Sequence, residues 1–510
     1  MKDVLGEKLA NCRRYINRVT VDVNTAAPYI LLILIIVGFA FWSLQLGVKS
    51  FWDDEILSIR HAESLRNFSS LFSMQAGNAH PPVYFLLFRP WLLLGNSEGW
   101  TRLLSVLLAL PSIALVYFLG KRLVNPLTGL IGSTLYIAMP VLLIYFREVR
   151  MYSLLTTLSC ASLLLLLRAL DDNKMQNWLL FSVTTFITLI THYHGFLILL
   201  AQGFFFLLYL RKTQNRLPPL RNFFLSSAAA LLMFLPFLPA LFQAMGTTST
   251  MWRSGAGSFL ISRGYLAYSL ILGQTIMPWD IIAILGGLAF VIISAVSIWQ
   301  LRANYVLIAI IISYSLVVFL AGPLVSHDMP RYYLFFAPLI CIVLGYGITA
   351  VKPRYLTLGL TALLLISWGK ADANYFSGRD FHVMAHVDPW REVSDSLQQT
   401  VTGNDRILIK TSYSLDSHYL PGRGLKDRII SDPSQLNKPG YSLPDNLWFV
   451  VNNPANTRLA EDIRRELQAG YGYKIQNVKQ FLRDPNYKTK QKYFRKDFAE
   501  FRIEIFQLHR

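Results

Sequence analysis

Residues 27–46 read APYILLILIIVGFAFWSLQL, and the chain then continues with Phe51-Trp52-Asp53-Asp54-Glu55. An α-helix needs about 20 mainly apolar residues to cross the hydrocarbon core of a bilayer, so the first stretch is predicted to span a membrane. Charged side chains are costly inside lipid, and the three acids are therefore expected just beyond the membrane face. Carboxylates at that position can act as a general base, hold a metal ion or simply face water.

The composition indicates an integral membrane protein. Of the 510 residues, 53% are hydrophobic and only 15% are charged, and the mean hydropathy of +0.39 is high for a soluble fold. The net charge is +18, yet residues 372–510 carry 21 basic and 17 acidic residues. The basic excess therefore lies in the apolar part of the chain, where membrane orientation and anionic lipid explain it better than nucleic-acid binding.

The apolar runs predict a polytopic α-helical membrane protein with about eleven spans. They lie near residues 27–46, 101–120, 127–146, 151–170, 177–194, 196–210, 223–245, 279–299, 305–325, 332–350 and 355–371. With the N-terminus inside, the basic clusters of the connections fall on the cytoplasmic side in turn, as the positive-inside rule requires. This count requires that segment 80–96 does not cross fully, and we expect a helix there that lies at the outer face or dips part-way in.

Residues 372–510 differ in character and predict a small α/β domain outside the membrane. An amphipathic helix is expected to open near Asp388, and 406–409 and 447–451 have the pattern of buried strands. A helix at 457–467 and a half-exposed strand at 501–506 follow. The predicted division is thus a transmembrane domain at 1–371, with a first outer loop at about 47–100, and an extracytoplasmic domain at 372–510.

Four polar motifs are predicted on the outer side of the membrane. They are the acids Asp53, Asp54 and Glu55; His80-Pro81-Pro82; Arg147-Glu148-Val149-Arg150-Met151-Tyr152; and Arg331-Tyr332-Tyr333, which follows His327-Asp328. A Pro pair opens a helix well, and the free amides of a helix start can meet an anion. Each arginine motif alone is explained by snorkelling to the headgroups, but arginines also hold phosphates well. Together the motifs describe an anion-binding cleft with a carboxylate base, which fits a lipid-linked phosphate.

In order along the chain, these motifs resemble those of the membrane glycosyltransferases of the GT-C fold. The resemblance is to family 39/83-like enzymes, the bacterial relatives of protein O-mannosyltransferases and of the aminoarabinose transferase that modifies lipid A. It rests on Trp52 to Glu55, His80-Pro81-Pro82 with the aromatics after it, Gly95 through Arg102, the block at 147–152, Thr191-His192-Tyr193, Arg331-Tyr332 and an outer C-terminal domain. It extends over nearly the whole chain.

The resemblance implies transfer of a sugar from a polyprenyl-phosphate donor to an acceptor hydroxyl on the extracytoplasmic face, with inversion and with a first-loop aspartate as base. The family's Asp-Glu pair matches Asp54-Glu55, so Asp54 is the first candidate for the base and Asp53 the second. Glu55 is expected to orient Asp54 or to help to hold a cation. A divalent metal at Asp53 and Glu55 is left open, and no cofactor is implied with certainty.

The resemblance also implies where the donor phosphate binds. His80 occupies the position of a lysine of the aminoarabinose enzymes, and with Arg147, Arg150 and Arg331 it is expected to bind this phosphate. Further site candidates are Glu148, Tyr152, His192, Tyr193 and His327. His192 and His194 are spaced for a metal, but a buried, hydrogen-bonded histidine is the commoner case.

The expected location is a bacterial inner (plasma) membrane, crossed several times, with a cytoplasmic N-terminus and an extracytoplasmic C-terminal domain. The expected partners are the donor lipid, the membrane and a lipid, protein or glycan acceptor.

Two other functions stay open as predictions. One is a transporter or flippase of lipid-linked glycans, which the scarcity of charges inside the predicted spans disfavours. The other is a membrane-anchored assembly protein of the cell envelope whose tail carries the function.

Overall fold

The computed structural model describes residues 2–65, 80–214, 216–251, 259–320, 329–409, 413–437, 443–452, 457–484 and 502–510. The chain divides into two compact units. The first comprises Met1–Leu46, His61–Asn96 and Trp100–Asp372, and the second comprises Gly47–Arg60, Ser97–Gly99 and Ala373–Arg510. The first-loop acids therefore group with the C-terminal segment, a grouping that no pattern in the sequence indicates.

Helices make up nearly all of the described residues before residue 378. They are Lys2–Ser43, Asp53–Ser64, Val83–Leu92, Glu98–Leu123, Pro126–Ile137, Pro140–Tyr145, Tyr152–Asp172, Met175–Leu189, Gly195–Leu210, Leu217–Phe234, Leu238–Met251, Phe259–Leu272, Ile281–Leu301, Tyr305–Leu320, Ala337–Ala350 and Arg354–Ser377. Two 3₁₀ turns, Leu235–Phe237 and Pro330–Phe336, lie among them. Helix Phe259–Leu272 has no counterpart among the predicted spans, because Ser262, Arg263 and Gly264 interrupt its apolar run.

Within the described residues, six helical segments are long and apolar enough to cross a membrane. They are Val23–Ser43, Glu98–Leu123, Tyr152–Asp172, Leu217–Ala244, Ile281–Leu301 and Pro330–Ala350. Five shorter apolar helices accompany them. Apolar side chains such as Leu32 and Ile36 are 56% and 58% exposed, which suits a surface that faces lipid. The predicted fold class, a polytopic helical membrane protein with a small C-terminal α/β region, is confirmed, whereas the count of eleven spans stays a prediction.

One predicted span, 127–146, is not a continuous helix. It forms Pro126–Ile137 and Pro140–Tyr145, with Ala138 and Met139 between them. Pro140 has no N–H to donate, and its ring would clash with the preceding turn, so the helix stops before it and a new one starts with proline in its first turn. The break leaves the chain irregular again at 146–151, where Arg147 and Arg150 lie.

Segment 80–96 contains the expected helix, Val83–Leu92. Its ten residues extend over about 15 Å, half the thickness of a hydrocarbon core of about 30 Å, so this helix alone is too short to cross. The N–H of Val83 donates to the carbonyl of Ile190 at 3.3 Å. This bond ties the start of the helix, directly after His80, to the connection that carries His192.

The first unit brings some helix backbones into direct contact. A Cβ atom on Gly129 would lie 2.5 Å from the carbonyl oxygen of Tyr117 and 3.0 Å from the nitrogen of Lys121. Helices Glu98–Leu123 and Pro126–Ile137 can therefore approach this closely only because residue 129 has no side chain. Asn125 caps the second helix by accepting from the N–H of Thr128 at 2.8 Å.

The second unit contains one five-stranded sheet. Its strands are β1 (Arg406–Ile409), β2 (Ile429–Ile430), β3 (Asn446–Asn452), β4 (Lys474–Leu482) and β5 (Arg502–His509), in the order β2-β1-β3-β5-β4. β1 pairs in parallel with β2 and β3, whereas β5 pairs antiparallel with β3 and β4. Helix Thr457–Tyr471 packs on the sheet, and Leu408, Leu447, Phe449, Leu467 and Leu508 are central to the buried core.

The predicted strands at 406–409 and 447–451 and the helix at 457–467 are confirmed, and the strand at 501–506 corresponds to β5. The helix expected near Asp388 begins at Trp390 and ends at Thr400. β4 escaped sequence analysis because nearly all of its residues are exposed and no alternation of apolar and polar side chains marks it. β2 is only two residues long and gives no pattern to detect.

We expect Gly129→Ala to lower the stability of the first unit by about 1–3 kcal/mol, because a methyl group there overlaps backbone atoms that have no alternative position. The measurement is thermal unfolding of the detergent-purified protein. Gly203→Ala is the matched control, since no atom lies within 4 Å of the position of its added Cβ. The control is expected to unfold at or above the wild-type temperature. Equal unfolding temperatures for the two variants would contradict the close contact.

Candidate functional site

A group of cationic and aromatic side chains in the first unit forms what we call the arginine–histidine cluster. Its members are Arg150, Arg331, His80, His192, His194, Tyr152 and Tyr332. They come from four places where helices begin or end: the residues before Val83–Leu92, the stretch at 146–151 with the first residue of Tyr152–Asp172, the connection at 190–194, and Pro330–Phe336. Because each lies at a helix boundary, polar side chains from distant parts of the sequence meet at one point.

Arg150 occupies the centre of this cluster, and its side chain is only 3% exposed. Its Nη2 atom lies 2.7 Å from Nε2 of His80, and its guanidinium lies 5.8 Å from the ring centroid of Tyr152. The hydroxyl of Ser105 donates to the carbonyl of Arg150 at 3.3 Å. The side chain is therefore held by a ring nitrogen and an aromatic face, while Ser105 holds the backbone.

Arg331 places a second guanidinium on the same aromatic group. It lies 5.7 Å from the ring centroid of Tyr152 and 5.3 Å from that of Tyr332. Tyr152 is fully buried and thus has two cations within cation–π range. Two guanidiniums around one ring repel each other, and a bound anion would reduce that repulsion.

Three imidazoles complete the cluster. The rings of His80 and His192 lie 5.3 Å apart, and those of His192 and His194 lie 4.7 Å apart. The backbone N–H and the Nδ1 atom of His194 each lie 3.0 Å from Nδ1 of His192. His194 also stacks on Tyr332, with 4.4 Å between the ring centroids. The histidine connection is thus fixed both by hydrogen bonds and by stacking.

The histidines of this region are neutral. Burial, and then the charge of Arg150 among several cationic neighbours, lowers the pKa of His80 well below its ordinary value. Burial, followed by His194, His80 and the two arginines, does the same to the pKa of His192. Burial and Arg150 lower the pKa of the nearby His61 to about 4. Uncharged imidazoles therefore lie beside permanently charged guanidiniums.

The remaining candidates have other surroundings. Arg147 is buried and donates to the carbonyl of Leu44 at the end of the first helix, and Glu148 is buried beside it in the chain. Tyr193 makes an edge contact with Phe234, with 6.5 Å between ring centroids. His327 lies outside the described residues. The roles predicted for these four residues stay predictions.

The first-loop acids lie in the second unit, and two of them have defined partners. Asp53 accepts hydrogen bonds from the backbone N–H of Ser414 at 2.9 Å and from its hydroxyl at 2.5 Å. The Glu55 carboxylate accepts from the N–H of Trp52 at 3.3 Å, while the Trp52 carbonyl begins helix Asp53–Ser64. This arrangement is the reciprocal half of a capping box, and it makes Glu55 a helix-start residue.

Other carboxyl groups of the second unit lie near Asp53. Burial raises the pKa of Asp388 to about 7, with a further contribution from Asp53, against the opposing charge of Arg483. Asp388 and Arg483 form an ion pair of 2.5 Å. Burial and Asp53 likewise raise the pKa of Asp416. Sequence reasoning missed these partners because Ser414 follows Asp53 by 361 residues and no motif marks it.

No group of three or more His, Cys, Asp or Glu side chains within the described part of the chain is arranged to hold a metal ion. Asp53 and Glu55, the residues for which a metal was left open, instead accept hydrogen bonds from protein N–H and O–H groups. These bonds use Oδ1 of Asp53 and Oε2 of Glu55, and the divalent metal that was left open at the two residues stays a prediction.

Comparisons with known proteins agree with this architecture. The model of the family described as dolichyl-phosphate-mannose-protein mannosyltransferase matches residues 79–240, about a third of the chain. That interval contains His80, Arg150, Tyr152 and His192. A comparison with the sequences of curated proteins finds no match.

Solved structures match over most of the chain. The apo structure of ArnT from Cupriavidus metallidurans is 13% identical, covers 94% of this chain and 98% of its own, and has a TM-score of 0.58. The structure of the same protein bound to undecaprenyl phosphate is 12% identical in sequence, and the match covers 93% of this chain and 97% of that protein, with a TM-score of 0.52. An oligosaccharyltransferase of Archaeoglobus fulgidus, in complex with Zn and sulfate, is 13% identical, covers 82% of this chain and 67% of its own, and has a TM-score of 0.50.

The chain has the GT-C fold. The resemblance to GT-C membrane glycosyltransferases is confirmed: residues 79–240 match the mannosyltransferase family model, and the fold is similar to that of ArnT. At identities of 12–13% the solved structures establish the fold and not the substrate.

Because these histidines are neutral in the folded protein, we expect the stability of the first unit to fall at acidic pH. Since the pKa values of His80 and His192 are lowered in the folded protein, the unfolded chain binds more protons below pH 6.5. Stability is therefore highest above about pH 6.5 and falls as the pH drops, by about 1.4 kcal/mol per pH unit for each histidine. Thermal unfolding in detergent between pH 8 and pH 5.5 measures this loss.

We expect His192→Gln to lose less stability on acidification than the wild type, because glutamine does not titrate. The exposed His509 provides the control, and His509→Gln should behave as the wild type does. If acid destabilised wild type and His192→Gln equally, His192 would not be neutral in the folded protein.

Proposed function

We propose that this GT-C protein is a glycosyltransferase that moves a sugar from a polyprenyl-phosphate donor to an acceptor hydroxyl. The observation that carries the proposal is the arginine–histidine cluster, with two guanidiniums around one buried tyrosine beside neutral imidazoles. Such a cluster suits a phosphate, because guanidiniums bind its oxygens. The relative from Cupriavidus metallidurans, which shares the fold, was solved with undecaprenyl phosphate.

In this proposal Arg150 and Arg331 bind the donor phosphate, together with His80 and with Arg147. When the bond between the anomeric carbon and the phosphate oxygen breaks, the electron pair stays on the phosphate and its negative charge grows. Guanidiniums already in position stabilise that charge without reorganisation. The burial of Arg147 and Arg150 strengthens the effect, because water screens them little.

The proposed base is Asp54. The choice rests on the resemblance, in which the family's Asp-Glu pair matches Asp54-Glu55. Asp53 accepts hydrogen bonds from Ser414, and Glu55 accepts one at the start of the helix. Asp54 lies between them and is half-buried in the first turn of helix Asp53–Ser64. In the proposed step its carboxylate takes the proton of the acceptor hydroxyl as that oxygen attacks the anomeric carbon. A single displacement of this kind inverts the configuration at that carbon.

The proposed location is the extracytoplasmic side of a bacterial inner membrane, with the N-terminus in the cytoplasm. Ser105, beside Arg150, and Arg122, which pairs with Asp171, lie on one helix, Glu98–Leu123. Their 17-residue separation corresponds to about 26 Å along that helix. A basic end opposite the cluster is what the positive-inside rule expects if the cluster faces outward. The acceptor is a lipid, a protein or a glycan.

We expect Asp54→Asn to reduce transfer by about 100- to 10,000-fold, the usual contribution of a positioned base. The measurement is loss of label from a panel of radiolabelled polyprenyl-phosphate sugars in membranes that contain the protein. Asp53→Asn and Glu55→Gln are the matched controls, because an amide oxygen can still accept the hydrogen bonds from Ser414 and Trp52. Both should retain at least about tenfold more activity than Asp54→Asn.

Full transfer by Asp54→Asn with loss in Asp53→Asn would move the base to Asp53. Movement of intact donor lipid across the bilayer, without cleavage of the sugar–phosphate bond, would instead support a flippase.

The arginine assignment has its own test. Arg150→Lys keeps the charge but loses the planar fork, so we expect it to raise the KM for the donor by about tenfold or more. Arg122→Lys is the control, since Arg122 is a partly exposed arginine at the other end of helix Glu98–Leu123. It should leave the KM within about twofold of the wild-type value, as exposed ion pairs contribute little. A KM that responds equally to both changes would argue against a phosphate at Arg150.

A further inference from the structure

The rings of His80 and His192 form a pair inside the arginine–histidine cluster. Their centroids lie 5.3 Å apart, and the bond from Val83 to Ile190 fixes the two segments that carry them. His192 is 3% exposed. The hydrogen bonds of each ring define which of its nitrogens carries the proton.

For His80 the deciding neighbour is Arg150. A guanidinium has only donors, so the contact of 2.7 Å from its Nη2 atom requires that Nε2 of His80 accepts. A neutral imidazole has one donor and one acceptor nitrogen. The proton of neutral His80 therefore lies on Nδ1.

For His192 the deciding neighbour is the backbone of His194. Its N–H can only donate, and it lies 3.0 Å from Nδ1 of His192, which therefore accepts. The proton of neutral His192 thus lies on Nε2. The two rings have opposite tautomers, each fixed by a donor that cannot reverse its role.

Each ring is left with an N–H donor. Across the part of the chain that the structure describes, neither Nδ1 of His80 nor Nε2 of His192 has a hydrogen-bonding partner. A buried donor without an acceptor is costly, and native proteins rarely keep one unless a ligand or water accepts from it. The neighbouring Arg150 and Arg331 select for an acceptor with negative charge and disfavour a cation.

We infer that the Nδ1–H group of His80 and the Nε2–H group of His192 both donate to the phosphate oxygens of the donor lipid. The inference rests on the proposed function and adds His192 to the residues that bind the phosphate. It also defines the histidine contribution as two neutral donors in fixed tautomers, which supplement the charge of the arginines. Centroids 5.3 Å apart allow one phosphate group to accept from both rings.

Amide side chains can test which nitrogen of each ring donates. The amide nitrogen of asparagine is as many bonds from the backbone as Nδ1, and that of glutamine as many as Nε2. At position 80 asparagine therefore keeps the inferred donor, whereas glutamine keeps only the acceptor for Arg150. At position 192 the order reverses, because glutamine keeps the donor and asparagine only the acceptor for His194.

The experiment measures binding of undecaprenyl phosphate to the full-length, detergent-purified protein and its four variants. We expect His80→Asn to bind about tenfold more tightly than His80→Gln, and His192→Gln about tenfold more tightly than His192→Asn. Each comparison is internally matched, since the two amides differ by one methylene group. Thermal unfolding of every variant identifies any that fails to fold, and binding is compared among folded protein.

Where both amides at one position fail to fold, the pair at the other position decides. Inorganic phosphate, added as a competitor, separates recognition of the phosphate group from recognition of the lipid tail. The inferred order is crossed, since asparagine is the better variant at position 80 and glutamine at position 192. Contact with the phosphate itself is supported if the affinities of the variants for inorganic phosphate, measured by displacement of the lipid, follow this crossed order too.

The inference would be overturned if the same amide bound undecaprenyl phosphate more tightly at both positions, or if the two amides bound it equally at each position. Binding by the wild type would in that case leave the proposed function intact. An absence of undecaprenyl phosphate binding by the wild type would overturn both. If inorganic phosphate did not reproduce the order found for the lipid, the difference between variants would arise from the lipid tail, and the inference would also be overturned.

Discussion

The guanidinium of Arg150 keeps its charge at any physiological pH, although its side chain is almost fully buried. An isolated buried charge is very unfavourable, so the surroundings of Arg150 have to compensate for its lost hydration. They do so with a ring nitrogen of His80 and the face of Tyr152. Arg331 adds a second cation to the same ring and increases the repulsion. A bound anion would reduce this repulsion, and this is the physical basis of the proposed phosphate site.

The interruptions of the helices follow from the same requirement. Had 127–146 been one helix, as its apolar run predicts, the chain would reach Arg147 and Arg150 in regular conformation. Pro140 breaks that helix, and the irregular backbone at 146–151 can turn polar groups inward. Irregular backbone inside a membrane protein is tolerated where polar partners satisfy it, and Ser105 is one of them, through the carbonyl of Arg150. The proline pair before Val83–Leu92 and the proline that opens Pro330–Phe336 have comparable positions.

Sequence patterns predicted the components of the arginine–histidine cluster because charged residues at the ends of apolar runs are conspicuous. His80, Arg150, Tyr152, His192 and Arg331 could all be named in this way. Their hydrogen bonds could not, since which nitrogen of His192 accepts depends on the backbone of His194. The partner of Asp53 was equally out of reach, because residues 361 positions apart leave no local pattern. Patterns of burial also fail for an exposed strand such as β4.

The histidine at position 80 resolves an electrostatic conflict. The resemblance to the aminoarabinose enzymes implies a lysine there, but an ammonium group would add a third buried charge beside Arg150 and Arg331 when no phosphate is bound. Neutral imidazole avoids that repulsion and still offers a donor. It gives up Coulomb attraction for the phosphate, and a second imidazole at position 192 offsets part of that loss with another hydrogen bond. Within this cluster, neutral donors next to fixed charges would therefore reconcile stability in the absence of ligand with the proposed affinity for phosphate.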